Sequence, residues 1–148
     1  MIEVVGDLWT YPADWRVITT NGFVKTNGEC VMGRGCAKEA KEKYPGLPLI
    51  VGSIIKHWGN VVRPIEIYKL FTFPVKHNWW EKADPELIKQ SAEKFAEIIF
   101  GQFDETEIVM PRPGCGNGGL KWEDVKPLLE SLPDNVKVIT HDPNSNRA

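Results

Sequence analysis

The chain has 148 residues, 42% of them hydrophobic, enough for one well-filled core and too few for two ordinary domains, so a single domain over residues 1–148 is expected. Lys and Arg total 18 against 20 Asp and Glu, a formal charge of −2. That balance excludes the bulk positive field that draws proteins onto nucleic acid, and a polyanion would have to find a local site. Cys30, Cys36 and Cys115 fall in no CxxC or Cys/His spacing, which argues against a zinc site and for a reducing, cytoplasmic setting. The opening MIEVVGD lacks the basic stretch and apolar run of a signal peptide, and no segment is apolar enough to cross a bilayer. The expectation is therefore a monomer that starts near Met1, with no membrane partner, no metal and no cofactor.

Residues 2–5 and 17–20 are short β-branched runs, ended by Gly6-Asp7 and Asn21-Gly22, and both read as buried strands. A glycine-punctuated loop follows to Gly35. CAKEAKEKY then supplies strong helix formers until Pro45-Gly46 stops them. Residues 49–55 are read as a short buried helix, although periodicity alone also allows a strand. Residues 61–62 and 65–72 are predicted strands, the second closed by Phe73-Pro74 because proline cannot donate to a central ladder. HNWWEKAD reads as a loop. Asp84-Pro85-Glu86 combines an N-cap oxygen, a proline at the first helical position and an acid in the first turn, so a helix starts there and runs to Gly101. Residues 107–110 form the next strand, 111–119 a second glycine-rich loop, 122–131 a helix with Val125, Leu128 and Leu129 inward, and 136–140 the last strand. The tail HDPNSNRA is expected to fray. Alternating strands and helices predict an α/β domain whose central mixed, largely parallel sheet has helices on both faces.

Two loops carry the chemistry. Each follows an apolar strand and leads into a helix, the place where open α/β sheets bind ligands. In the first, Gly33 and Gly35 stand at a helix entrance, where free N–H groups make an anion site. In the second, Gly114, Gly116, Gly118 and Gly119 crowd one turn that fits neither the P-loop nor the dinucleotide fingerprint. A phosphate guest is expected between them. Arg34 could reach it bidentately, and so could Arg112 unless it points to solvent. Cys36 and Cys115 are expected to be packing residues, not nucleophiles. Trp79-Trp80 reads either as an aromatic wall for a base or ribose or as the cover of a core edge.

Gly6-Asp7-Leu8 after the first strand, Met32-Gly33-Arg34-Gly35 opening a helix, and residues 110–116 (MPRPGCG) followed by Gly119-Leu120-Lys121-Trp122 resemble the macrodomain family. They are most similar to the branch of the terminal ADP-ribose glycohydrolases and ADP-ribose 1″-phosphate phosphatases. The resemblance implies a three-layer α/β/α fold and ADP-ribose, or an ADP-ribosylated molecule, as the partner. It implies that Asp7 accepts from the adenine amino group beside the Leu8 backbone, and that Asn21 or Asn27 holds the distal ribose. Gly33, Arg34, Gly35 and Cys36 would wrap the diphosphate from one side, with Gly114, Cys115, Gly116, Asn117, Gly118 and Gly119 on the other. In the glycohydrolases a lysine after the strand matching residues 70–72 attacks the sugar, and an acid lies in the second loop. The matching positions here are Phe73 and Gly118, so the expected activity is phosphatase-like hydrolysis of a derivative such as ADP-ribose 1″-phosphate. The alternatives are a non-catalytic reader of ADP-ribosyl groups and a hydrolase of protein or nucleic-acid adducts. Asn27, Lys76 and His77 are the candidate catalytic residues, with His57 and His141 expected elsewhere.

Overall fold

In a computed structural model, residues 1–141 are described. The chain order is β1 (Ile2–Val5), β2 (Trp15–Asn21), α1 (Gly35–Lys43), α2 (Leu47–Trp58), β3 (Pro64–Ile65), β4 (Leu70–Lys76), α3 (Pro85–Ile99), β5 (Ile108–Pro111), α4 (Trp122–Val125) with a 3-10 turn (Lys126–Leu129), and β6 (Val136–Thr140). The strands form one sheet in the order β1-β6-β5-β2-β4-β3. Every pairing is parallel except the short β3 against β4.

Strand alternation sends Val17, Phe71 and Phe73 to one face, where they pack with Ile88, Phe95 and Ile99 of α3 and with Val125 and Leu129. Ile18 and Leu70 go to the other, under Ala40 of α1 and Leu47 and Val51 of α2. The result is the expected three-layer α/β/α stack. Phe71 and Phe73 both meet Phe95 edge-on, at 5.1 and 6.2 Å between ring centroids, a geometry worth about 0.5–1.5 kcal/mol per pair beyond burial. Helix α3 starts as its sequence dictates: the Asp84 carboxylate accepts from the Glu86 N–H at 3.0 Å.

Three expected elements differ. Residues 61–62 are not a strand, and residues 65–72 are broken by a turn in which Tyr68 and Lys69 donate to Ile65 and Glu66. Lys69 takes φ 53° there, and the turn folds β3 back on β4. Strand β4 then runs past Pro74 to Lys76. Its Thr72 N–H points away from β2 to the Arg63 carbonyl, and Pro74, two residues on, faces the same side, beyond the reach of β3, which begins opposite Phe71 and runs the other way. No ladder donor is needed at that position, and the Pro74 carbonyl accepts from the Ser91 hydroxyl instead. The helix expected over residues 122–131 is α-helical only to Val125, because Pro127 has no N–H for the next α-type bond and the chain tightens into the 3-10 turn. His141 lies in extended chain after β6, and the rest of the tail lies outside the described residues.

Candidate functional site

Because β1, β2, β4, β5 and β6 are parallel, the loops that follow them emerge at one edge of the sheet. The path goes from β2 to β4 on one side and then back past β2 to β5 on the other, which makes this edge a topological switch point. A cleft of about 930 Å³ opens there, lined from all five strand ends, at the upper end of the ~300–1,000 Å³ usual for small-molecule sites.

One wall is the start of α1. Arg34, its N-cap residue, provides no side-chain cap, and among the described residues the N–H groups of Gly35, Cys36 and Ala37 donate to no other group. They open into the cleft, as the first donors of an uncapped helix do. The facing wall is the loop after β5. Its ends are tied by Cys115 N–H to Arg112 and Leu120 N–H to Gly114. Among the described residues the N–H groups of Gly116, Asn117 and Gly118 have no acceptor, and all three residues line the cleft. The walls nearly touch, since a Cβ on Gly35 would lie 3.1 Å from the Asn117 side-chain nitrogen. Two sets of main-chain donors thus converge on one space, the arrangement that holds a diphosphate.

The loop glycines divide by role. At Gly114, with φ 76°, a Cβ would come within 2.8–3.1 Å of Ile88, Ala83 and Leu120, and at Gly118 within 2.5 Å of the Gly114 carbonyl oxygen. These two are demanded by the packing of the loop on α3. At Gly33 and Gly116 a Cβ would meet nothing within 4 Å, so nothing inside the protein requires glycine there. Gly119 lies outside the lining, and a Cβ there would lie 3.5 Å from the Lys82 stem.

At one end of the cleft, Asp7 and Leu8 sit in a loop closed by Tyr11 N–H to the Asp7 carbonyl, with the Asp7 carboxylate accepting from the Trp9 N–H at 2.7 Å. The Arg16 guanidinium holds this loop from below, donating to the carbonyls of Leu8, Tyr11 and Ala13. At the other end stands Lys76, the last residue of β4 and the register partner of Asn21. Its Nζ donates to the carbonyls of Trp79 at 3.4 Å and Asn117 at 3.5 Å. Desolvation, followed by the nearby Arg34 charge, lowers its pKa from the usual lysine value. Burial raises the thiol pKa of Cys36, which contacts Thr19, and that of Cys115, and pushes Cys30 up to about 12. All three stay protonated at neutral pH, unsuited to nucleophilic work.

No protein-family model matches the chain. A curated relative, the DNA ADP-ribosyl glycohydrolase of Thermus aquaticus, is 29% identical over 97% of the chain. The Mycobacterium tuberculosis protein of that name is 29% identical over 87%. The chain spans about 40% of the length of these relatives. Among solved structures, the macrodomain of Thermus aquaticus DarG superposes with a TM-score of 0.74 at 27% identity, covering 96% of this chain and 97% of that one. The chain has the macrodomain fold.

Within the macrodomain fold, Asn21, Gly33, Arg34, Gly35, Cys36, Cys115 and Lys76 line the cleft alongside Asp7, Leu8 and residues 114 and 116–118. Both ends of the Asn21 side chain are engaged internally, donating to the Val31 carbonyl and accepting from the Phe23 N–H, so this residue shapes the loop after β2. Asn27 is away from the cleft, exchanging hydrogen bonds with Glu29 at the exposed tip of that loop. His77 is outside it too: its Nε2 lies 2.8 Å from Asp84 Oδ2, an interaction that holds the Asp84 carboxyl below its ordinary pKa. His141, expected elsewhere, lines the cleft beyond β6. Position 73 is a fully buried core phenylalanine, and the strand-end position facing the cleft is Lys76.

Sequence reasoning missed Trp9, Thr19, Thr20 and Trp122 in the lining, where Arg112, weighed from the sequence as a phosphate contact or a solvent-facing residue, also stands. The Arg112 guanidinium sits 4.7 Å over the Trp122 ring and bonds Glu3. Among the described residues Trp9 Nε1 and Arg112 Nε are buried donors with no partner. The Trp122 pairing depends on strand order and has no local signature, whereas Thr19 and Thr20, directly before Asn21, could have been inferred from their strand-end position. No cluster of His, Cys, Asp or Glu able to hold a metal occurs among the described residues, and no helix there is long and apolar enough to cross a membrane.

Proposed function

We propose that this macrodomain binds an ADP-ribosyl group and hydrolyses its bond to a nucleic-acid base, with Lys76 as the nucleophile. The observation that carries this reading is the Lys76 amine, which stands with a depressed pKa at the end of β4, inside the cleft where the two amide walls meet. A lysine that releases its proton more readily presents more of the neutral amine that attacks carbon. In this pose the adenine lies against Asp7 and Leu8, and the diphosphate spans the N–H groups of residues 35–37 and 116–118 with Arg34 beside it. The distal ribose then reaches Lys76. The Nζ lone pair attacks the anomeric carbon, the bond to the base breaks, and the base leaves with a proton. Water afterwards displaces the lysine and frees ADP-ribose.

The phosphatase expectation rested on Phe73 and Gly118 standing at the positions of the lysine and the acid; Lys76, in the cleft at the end of β4, offers an amine close to the first of these and favours the glycohydrolase reading. The relatives named as DNA ADP-ribosyl glycohydrolases, and Thermosipho africanus DarTG in complex with ADP-ribose (TM-score 0.77 at 19% identity, 99% of this chain and 42% of that one), support the choice of ligand. The test is release of ADP-ribose from an ADP-ribosylated single-stranded DNA oligonucleotide, followed by mass spectrometry. Lys76→Ala is expected to abolish release and to keep ADP-ribose binding. Binding without release from any adduct would point to a reader, and phosphate release from ADP-ribose 1″-phosphate alone would point to the phosphatase.

A further inference from the structure

Aromatic residues gather at the Lys76 end of the cleft. Trp79 and Trp80 are 43% and 59% exposed, too open to be the cover of a core edge. They stand edge to face at 5.5 Å, and Trp80 meets Phe23 in the same way at 5.5 Å. The three rings form one row that joins the loop after β4 to the loop after β2, and those loops are bonded to each other where the Gly22 N–H meets the His77 carbonyl. Trp79 and Phe23 line the cleft, and the Trp79 carbonyl accepts from Lys76 Nζ. Trp80 stands between those two rings and lies beyond the lining, so the row bows out over the rim from Trp79 beside Lys76 and returns to the cleft at Phe23. Large apolar groups held open next to a ligand cleft mark a place where something else is covered.

The occupant follows from what must leave the cleft there. With the sugar at Lys76, the molecule joined to it passes over this rim. Lys76 and Arg34 are inside the mouth, and Lys25, 3.8 Å from Glu29, is on its edge. Aromatic faces with cations alongside match unpaired bases on a phosphate backbone, since every base has a face to stack. A duplex keeps those faces covered. Resting on the reading that this cleft takes an ADP-ribosylated nucleotide, we propose that Trp79 and Trp80, with Phe23 behind them, are a stacking platform for the bases that flank that nucleotide in a single strand.

The experiment compares two substrates on the intact protein: an ADP-ribosylated single-stranded DNA oligonucleotide and the ADP-ribosylated mononucleotide excised from it. Trp80→Ala is expected to raise KM for the oligonucleotide about 5- to 100-fold, with KM for the mononucleotide and the calorimetric Kd for ADP-ribose unchanged. Trp80→Phe is expected to recover most of the loss, which a folding defect would not. Equal effects on both substrates overturn the platform, as does the same Trp80 dependence on an ADP-ribosylated peptide, which would make the surface a protein dock. If no adduct is cleaved at all, the underlying reading fails. The platform is then decided by adding unmodified single-stranded oligonucleotide to the wild type: tryptophan quenching lost in Trp80→Ala supports it, and no quenching overturns it.

Discussion

Alanine at Gly114 and alanine at Gly116 should fail in opposite ways although the two residues share one loop. At Gly114 the new Cβ must tolerate φ 76°, and it would come within 2.8 Å of Ile88, 3.0 Å of Ala83 and 3.1 Å of Leu120. The left-handed backbone costs about 1–2 kcal/mol, and overpacking against three core groups adds about 1–3 kcal/mol. Gly114→Ala is therefore expected to lose about 2–5 kcal/mol of the ~5–15 kcal/mol typical of a domain. At Gly116 the Cβ meets nothing within 4 Å, so stability should stay within about 0.5 kcal/mol of wild type. Its methyl instead enters the space in which the cleft receives the diphosphate. Pushing one phosphate oxygen off a main-chain donor removes a hydrogen bond to a charged group, about 1.5–3 kcal/mol, or roughly 10- to 100-fold in Kd. Urea denaturation gives the first quantity and calorimetric titration with ADP-ribose the second. Gly116→Ala binding ADP-ribose as tightly as wild type, or unfolding as readily as Gly114→Ala, would refute the division between glycines that fold the loop and glycines that face the ligand.

Further outcomes follow from the same geometry. The kcat of ADP-ribose release should rise with pH through the lowered Lys76 pKa and then level, because the neutral amine is the reactive form; Arg34→Gln, by removing a repelling charge, should move that limb to higher pH in stopped-assay profiles. Arg16→Ala removes three bonds to the carbonyls of Leu8, Tyr11 and Ala13, so ADP-ribose affinity and thermal stability should fall together, the latter by about 2–4 kcal/mol. Asp84→Ala removes the α3 N-cap and the His77 partner, and should cost about 0.5–2 kcal/mol by urea denaturation without changing ADP-ribose affinity. Gly118→Glu, a tempting way to restore an acid to the second loop, should instead give unfolded or aggregated protein by circular dichroism, because its Cβ would sit 2.5 Å from the Gly114 carbonyl oxygen.

What sequence alone determined is what depends on near neighbours along the chain. The run CAKEAKEKY makes α1, Asp84-Pro85-Glu86 starts α3, and the β-branched runs make β1, β2, β5 and β6. With helices between β2, β5 and β6 these strands were expected to lie parallel, which sets the two glycine-rich loops at one edge, and the macrodomain motifs could be read from them. Tertiary structure decided whatever depends on which side of a strand a group faces. Proline closes a strand only if both sides of it are paired. β3 begins opposite Phe71 and runs away from Pro74, leaving that side of Pro74 without a strand partner, so β4 continues and delivers Lys76 to the cleft while burying Phe73. The same logic turns His77 out to Asp84, brings His141 in beyond β6, strands Asn27 on a loop tip, and makes Gly118 a packing residue. A lysine's role here is set by the register of β4 against β2 and by where β3 begins, distances through space that no spacing along the chain encodes.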